Sequence, residues 1–297
     1  IKWKFILFKR SKFQKYYNSN FKNNYDLFAD NSLSLPNYQD VFFIKDLLDD
    51  KFINKDSIIV NGQTGDFITG GQIPLNKKVN NFQYFIKEIS LKHFFLFNRL
   101  KNPFIKKYIQ EILQKFMQDK SLKNANFDEI LELWNFEERQ TKYIINGQRA
   151  YEFLNLDWHL PFWDNELIKF WNSVPHKFKI NQFLFRCYLE NWNYKNLFNK
   201  KFNEVHAFTG GIAFFVRLIS FLLNIMRPLI NKKKVLSFFD YYSRYGYMYN
   251  FFSFNYFIKH RSLIKNAFAL HTLRWLNDRG LADEVKLLNR KYRFLKR

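Results

Sequence analysis

Cysteine is all but missing from this chain. Cys187 is the single one among 297 residues. That excludes an internal disulfide framework and any Cys-rich metal site. Its setting, Phe185-Arg-Cys-Tyr-Leu189, reads as a helical core thiol rather than a nucleophile, because free cysteine is usually buried and inert. Internal repeats are lacking too, and no nucleic-acid module signature occurs. Acidic residues are scarce: 26 Asp and Glu stand against 48 Lys and Arg, a net charge of +22. Together with a 21% aromatic content, that balance would suit stacking on nucleic acid. The basic residues, however, run along the whole chain and form no stripe. The excess of Lys, Asn, Phe, Ile and Tyr also follows A/T-rich codons. Nucleic acid is therefore disfavoured as a partner. What is present is enough apolar content, 47%, to exclude general disorder. The length can bury one large core or two small ones.

The most informative segment is 57–71, Ser57-Ile-Ile-Val-Asn61-Gly-Gln-Thr-Gly-Asp66-Phe-Ile-Thr-Gly-Gly71. Ile58, Ile59 and Val60 form a short apolar β run bounded by turn signals, the pattern of a buried parallel strand. The glycines after it let backbone N–H groups approach a ligand closely. Asp66 falls where open α/β sheets place ligands, and a carboxylate beside a phosphate loop usually holds magnesium. Spacing alone leaves a plainer alternative: a surface turn closing a strand, with Asp66 as a helix N-cap.

The string from Asn61 to Gly71 resembles the Ser-Gly-x-Gly-x-Asp-Glu-x-x-x-Gly-Tyr motif of the asparagine-synthase-type synthetase domain. Gly62, Asp66 and the Gly70-Gly71 pair match. Gln63, often Glu in the family, Phe67, usually Glu, and Gln72, usually Tyr, depart from it. A second block, 139–164, is similar to the family's Arg-led helix and Glu-x-Arg-x-Pro-Phe-Leu-Asp turn. Arg139 leads it, and Asp157, His159, Pro161, Phe162 and Asp164 fall on the turn, with Asp for Glu and His for Arg. A third block begins at Val174-Pro175 and continues into a helix carrying Arg186. The resemblance covers roughly residues 33–201.

The resemblance implies an α/β fold: part of a Rossmann-like, adenine-nucleotide-binding parallel sheet followed by a mainly helical region. Residues 1–205 would form the synthetase domain and 206–297 its helical extension. It implies ATP and magnesium as cofactors. Asp66 would be the catalytic, magnesium-holding carboxylate, and Gly62, Gln63 and Gly65 would lie against the nucleotide. The family adenylates a carboxylate with ATP, releases pyrophosphate, and lets ammonia from a glutaminase domain or subunit attack the acyl-adenylate. The departures at Gln63, Phe67 and His159 resemble a branch associated with surface-polysaccharide synthesis, which implies a sugar acid as substrate. The implied location is the cytoplasm. The family's Ser-Gly-Gly-x-Asp-Ser pyrophosphate loop does not occur, and the chain is expected to be a fragment of a longer synthetase carrying that loop upstream. The family's catalytic lysine is not assigned: Lys200-Lys201 and Phe208-Thr-Gly-Gly211 have the wrong offset. The alternatives are a non-catalytic remnant and a basic protein of membrane surfaces.

Elsewhere the pattern is helical. Val41, Ile44, Leu47 and Leu48 share one helix face, as do Tyr108, Ile109, Ile112, Leu113 and Phe116. A helix over 130–145 is expected to follow a cap at Asn126 or Asp128, and Asp164 to cap a short helix from Asn165. Residues 18–24, rich in Asn, read as a loop. Residues 211–230 are strongly apolar, but Arg217 interrupts them, at about 2.5–3.5 kcal/mol on insertion scales. Either a buried helix or an interfacial helix on an anionic membrane surface fits, the latter helped by Arg227 and Lys232-Lys-Lys234.

Overall fold

The computed structural model describes residues 10–29, 35–73, 81–94, 96–97, 103–120, 122, 125–196, 198, 241, 252–264 and 267–281. The expected 211–234 helix and the Lys200-Lys201 and Phe208-Gly211 strings lie outside them. The structure is mostly helical, with one small parallel sheet of two strands. It divides into two compact units. One comprises residues 20–93 and 108–203; the other takes the described parts of 1–19, 94–107 and 204–297.

The larger unit holds every candidate site residue. Helices α2 (Asn20–Ala29) and α3 (Tyr38–Asp49) open it. Phe21 and Tyr25 of α2 meet Phe153 of α8 (Arg149–Phe153) at ring distances of 5.3 and 5.2 Å. Strand β1 (Ile59–Val60) pairs in parallel with β2 (Trp158–His159), Ile59 opposite Trp158. Then come α4 (Gly65–Ile68), α5 (Phe82–Ile89), the part of α6 (Pro103–Asp119) from Tyr108 on, and α7 (Phe127–Asn135). Helix α6 buries Ile109 and Leu113. The block 139–164 ends in a 3-10 turn, Pro161–Trp163, followed by α9 (Asn165–Ser173), α10 (His176–Lys179) and α11 (Phe183–Trp192).

The smaller unit includes α1 (Arg10–Tyr17), α12 (Phe254–His260) and α13 (Ala267–Asp278). Phe97 and Ile264 form an antiparallel bridge there, and Tyr17 packs edge-on against Phe252. Among the described residues no helix is long and apolar enough to cross a membrane.

Several expectations need correction. Ile58 and Val60 are 62% and 66% exposed, so β1 is not a buried strand. Alternate residues of a strand face the same side, and among the described residues nothing covers that side. Cys187 sits in α11 but is half-buried, not a core thiol. The cap of α7 is Asn126, which forms a reciprocal capping box with Glu129. Its helix does not continue as α-helix: residues Phe136–Ile145 widen into a π-helix, and Thr141 Oγ1 donates to the Phe136 carbonyl. Asp164 does cap α9, accepting from the Glu166 and Leu167 amides at 2.9 and 3.0 Å. Asp164→Ala should therefore cost about 0.5–2 kcal/mol in urea unfolding. An unchanged midpoint would remove the cap from the account.

Candidate functional site

A chain of hydrogen bonds fixes the start of the 61–71 segment. The Asn61 amide donates to His159 O at 3.0 Å, continuing the β1–β2 pairing. Asn61 Oδ1 accepts from the Gln63 amide, and its Nδ2 donates to the Tyr151 hydroxyl at 2.8 Å. Tyr151 in turn donates to Asp40 Oδ2 at 3.1 Å, which also accepts from Asn37 Nδ2. Burial raises the Asp40 carboxyl above its ordinary range, while the bonds from Tyr151 and Asn37 pull it back. Burial, then the Asp40 charge, pushes the Tyr151 phenol up, so it stays a donor. The segment is thus tied to α3 and α8 before it turns.

Thr64 adopts the left-handed conformation, φ 74°. Its buried Oγ1 has no hydrogen-bond partner among the described residues. Gln63 Oε1 accepts from Nε2 of the buried Gln148, whose own Oε1 is likewise unpartnered. Two orphaned buried oxygens beside one turn call for a further partner. The glycines divide by role. Gly62 is exposed, with nothing within 4 Å of where a Cβ would stand. Gly65 is buried, and a Cβ there would meet the Phe162 ring at 3.0 Å. Its lack of a side chain lets α4 pack on the Pro161–Trp163 turn, so Gly65 serves packing and Gly62 is the open position. Phe67 and Ile68 of α4 continue that contact into a small core with Trp171 and Val174.

Asp66 is exposed. Its Oδ2 accepts from Gln72 Nε2 at 2.7 Å. The other end of that amide is a junction. Gln72 Oε1 accepts from Asn135 Nδ2 at 2.9 Å, from Arg139 Nη1 at 2.9 Å and from Lys92 Nζ at 3.0 Å. The π-helical turn carries Arg139, and a second π turn, Ser90–Phe94, carries Lys92. Gln72, Lys92 and Asn135 line a cleft of about 240 Å³, with Glu88, Asp128 and Glu132 on its walls. Lys92 is exposed as a residue, but its ammonium end is desolvated there. Burial, then the Arg139 charge, lowers it to about 8, against partial support from Asp66 and Glu88.

Compared with protein-family models, curated proteins and solved structures, the chain matches none of them. The site must be judged on its own geometry. Among the described residues no group of three His, Cys, Asp or Glu side chains could hold a metal ion. Asp66 contributes one carboxylate, which suits magnesium only where substrate phosphates and water complete the shell. The exposed Gly62 and the exposed Asp66 fit a phosphate-bearing ligand on that condition, whereas Gln148 Oε1, a buried acceptor, calls for a donor and not for a phosphate oxygen. Of the residues singled out in the sequence, Gly62, Gln63 and Asp66 share the turn, while Gly65 faces Phe162. Gln72, Lys92, Asn135 and Gln148 were not singled out as site residues. Arg139 was noted only as the head of its block, not as a site residue.

His93, on the cleft wall, is lowered to about 4, by burial first and then by Lys92 and Arg139. The sign follows directly. The unfolded state, with a His near 6.5, binds a proton that the folded state refuses between those values. Stability is therefore lost as pH falls from about 6.5 to 4. Urea midpoints of His93→Phe should fall less across this window than those of wild type. Parallel profiles would exclude His93 as a source of the acid sensitivity.

Proposed function

We propose that this chain carries the nucleotide-facing part of an ATP-dependent carbon–nitrogen ligase of asparagine-synthase-like type. One observation carries the reading. The two blocks that resemble separate motifs of that family, 57–71 and 139–164, lie far apart in sequence yet meet in space. They meet as neighbouring parallel strands, β1 and β2, with Gly65 of one block against Phe162 of the other. The turn follows the C-terminal end of β1, where open α/β sheets take ligands. In this reading the two strands belong to a larger Rossmann-like sheet.

The chemistry asked of the site is activation of a carboxylate, a poor electrophile until its oxygen becomes a leaving group. Bound ATP would supply the AMP group, and magnesium, held in part by Asp66, would neutralise the charge of the departing pyrophosphate. The chain's own part is positional. Asp66 offers a single exposed carboxylate to the metal. The Asn61–Tyr151–Asp40 bonds hold the turn still, so that donors need no rearrangement when charge develops. Ammonia would come from a glutaminase domain or subunit. By resemblance alone the acceptor is a sugar acid of surface-polysaccharide synthesis, and the setting the cytoplasm, with contact to an anionic membrane surface left to residues 211–234. The reading is tested by carboxylate-dependent ATP–pyrophosphate exchange in the full-length protein. Exchange should be present in wild type and absent in Asp66→Ala.

A further inference from the structure

The junction at Gln72 is unusual chemically. An amide oxygen has two lone pairs. Here it faces three donors, two of them cations: Lys92 Nζ, Arg139 Nη1 and Asn135 Nδ2, all at 2.9–3.0 Å. Cationic donors bond most strongly to ionised oxygens, and a guanidinium matches a carboxylate in particular. A neutral oxygen is thus the weaker acceptor for this set. Two like charges also face one another across it, offset only in part by Asp66 and Glu88, and an anion held between them would offset them further.

We infer that the cleft beside Gln72 binds a small carboxylate, whose oxygens take the donors of Arg139, Lys92 and Asn135 that Gln72 now holds. The cleft, at about 240 Å³, lies below the roughly 300–1,000 Å³ of sites for drug-sized ligands. That size suits a compact acid better than a nucleotide. Glu88 and Asp128 on its walls can accept from hydroxyl or ammonium groups of the same molecule. That selects a carboxylate bearing such donors over a bare fatty acid. Gln72 also donates to Asp66, so the bound carboxylate would lie next to the turn. Its role as the acceptor of activation rests on the ligase reading; its binding does not.

Lys92 reports occupancy. Its ammonium is lowered to about 8, so at pH 7 it should react with acetic anhydride faster than surface lysines do. A carboxylate in the cleft raises it, and each unit of rise cuts the free amine on the order of tenfold. Full-length protein is trace-labelled, with peptide mass spectrometry as the readout, in D-glucuronate, L-aspartate, glucose or inorganic phosphate. One or both carboxylates should slow Lys92 labelling about tenfold, and glucose should not. Arg139→Gln should abolish that protection, and Lys55→Gln, an exposed position before β1, should keep it. Gln72→Glu supplies an anionic oxygen from the chain itself and should slow Lys92 labelling with no ligand present, which covers the case of an unfolded Arg139 variant. Protection by phosphate but by neither carboxylate would overturn the inference. So would protection that survives Arg139→Gln. Carboxylate protection in a protein that fails to bind ATP would remove the ligase reading and leave this site standing. ATP binding without carboxylate protection would do the reverse.

Discussion

Gly70→Ala should destabilise the protein by about 3 kcal/mol or more. Gly70 holds φ +94°, a conformation L side chains rarely adopt. A Cβ there would stand 2.2 Å from the Lys179 carbonyl oxygen and 2.6 Å from its carbon. That oxygen is backbone, so no rotamer change relieves the clash. Nor is Lys179 free to retreat. Its buried ammonium is clamped by both oxygens of Glu132, at 2.6 and 2.8 Å. Breaking that pair would strand a charge in a dry setting. Gly62→Ala is the matched control. It meets nothing within 4 Å and should change stability by no more than about 1 kcal/mol. Urea unfolding, compared at constant m, separates the two. Equal stability of both variants would mean that the turn does not have this shape.

That contrast also shows what the sequence could disclose. A Gly-Gly pair marks a tight turn, and Asp164 before an apolar helical pattern marks a cap; both signals are local. The parallel pairing of the two blocks was not legible, because two strands of two residues each, far apart in sequence, carry no local signal of one another. Exposure of Ile58 and Val60 was not legible, because an apolar run does not tell how many of its faces are covered. The Asn-rich stretch 18–24 read as a loop, yet α2 begins at Asn20. Its helix is set by tertiary packing of Phe21 and Tyr25 on Phe153, which outweighs weak local propensity.

Nothing in the sequence marked the junction at Gln72 as a site. Gln72, Lys92, Asn135 and Arg139 are spread over three separate stretches of chain. The α7 helix widens into a π turn at Phe136, and Arg139, carried on that turn, reaches Gln72 Oε1. Such widenings often accompany functional positions, but no residue pattern announced this one. Gln72 stood out in the sequence only as a mismatch to a family tyrosine. In the structure it joins Asp66 to two cations.

Asp66 carries the heaviest claim. It is exposed and its bond to Gln72 faces solvent, so water can replace the lost acceptor when it is truncated. Asp66→Ala should leave the urea midpoint within about 0.5 kcal/mol of wild type. Catalysis should respond differently, since loss of one group that offsets developing charge typically costs about 10²–10³ in rate. Asp66→Asn, which keeps the shape and removes the charge, should fall as far as Asp66→Ala. The decisive measurement is ATP–pyrophosphate exchange by full-length protein and by these two variants, with their folding checked alongside. The ligase account predicts exchange in wild type and a loss of at least about 10² in both variants. Exchange at the wild-type rate in folded Asp66→Ala, or none in wild type with any carboxylate, would contradict it.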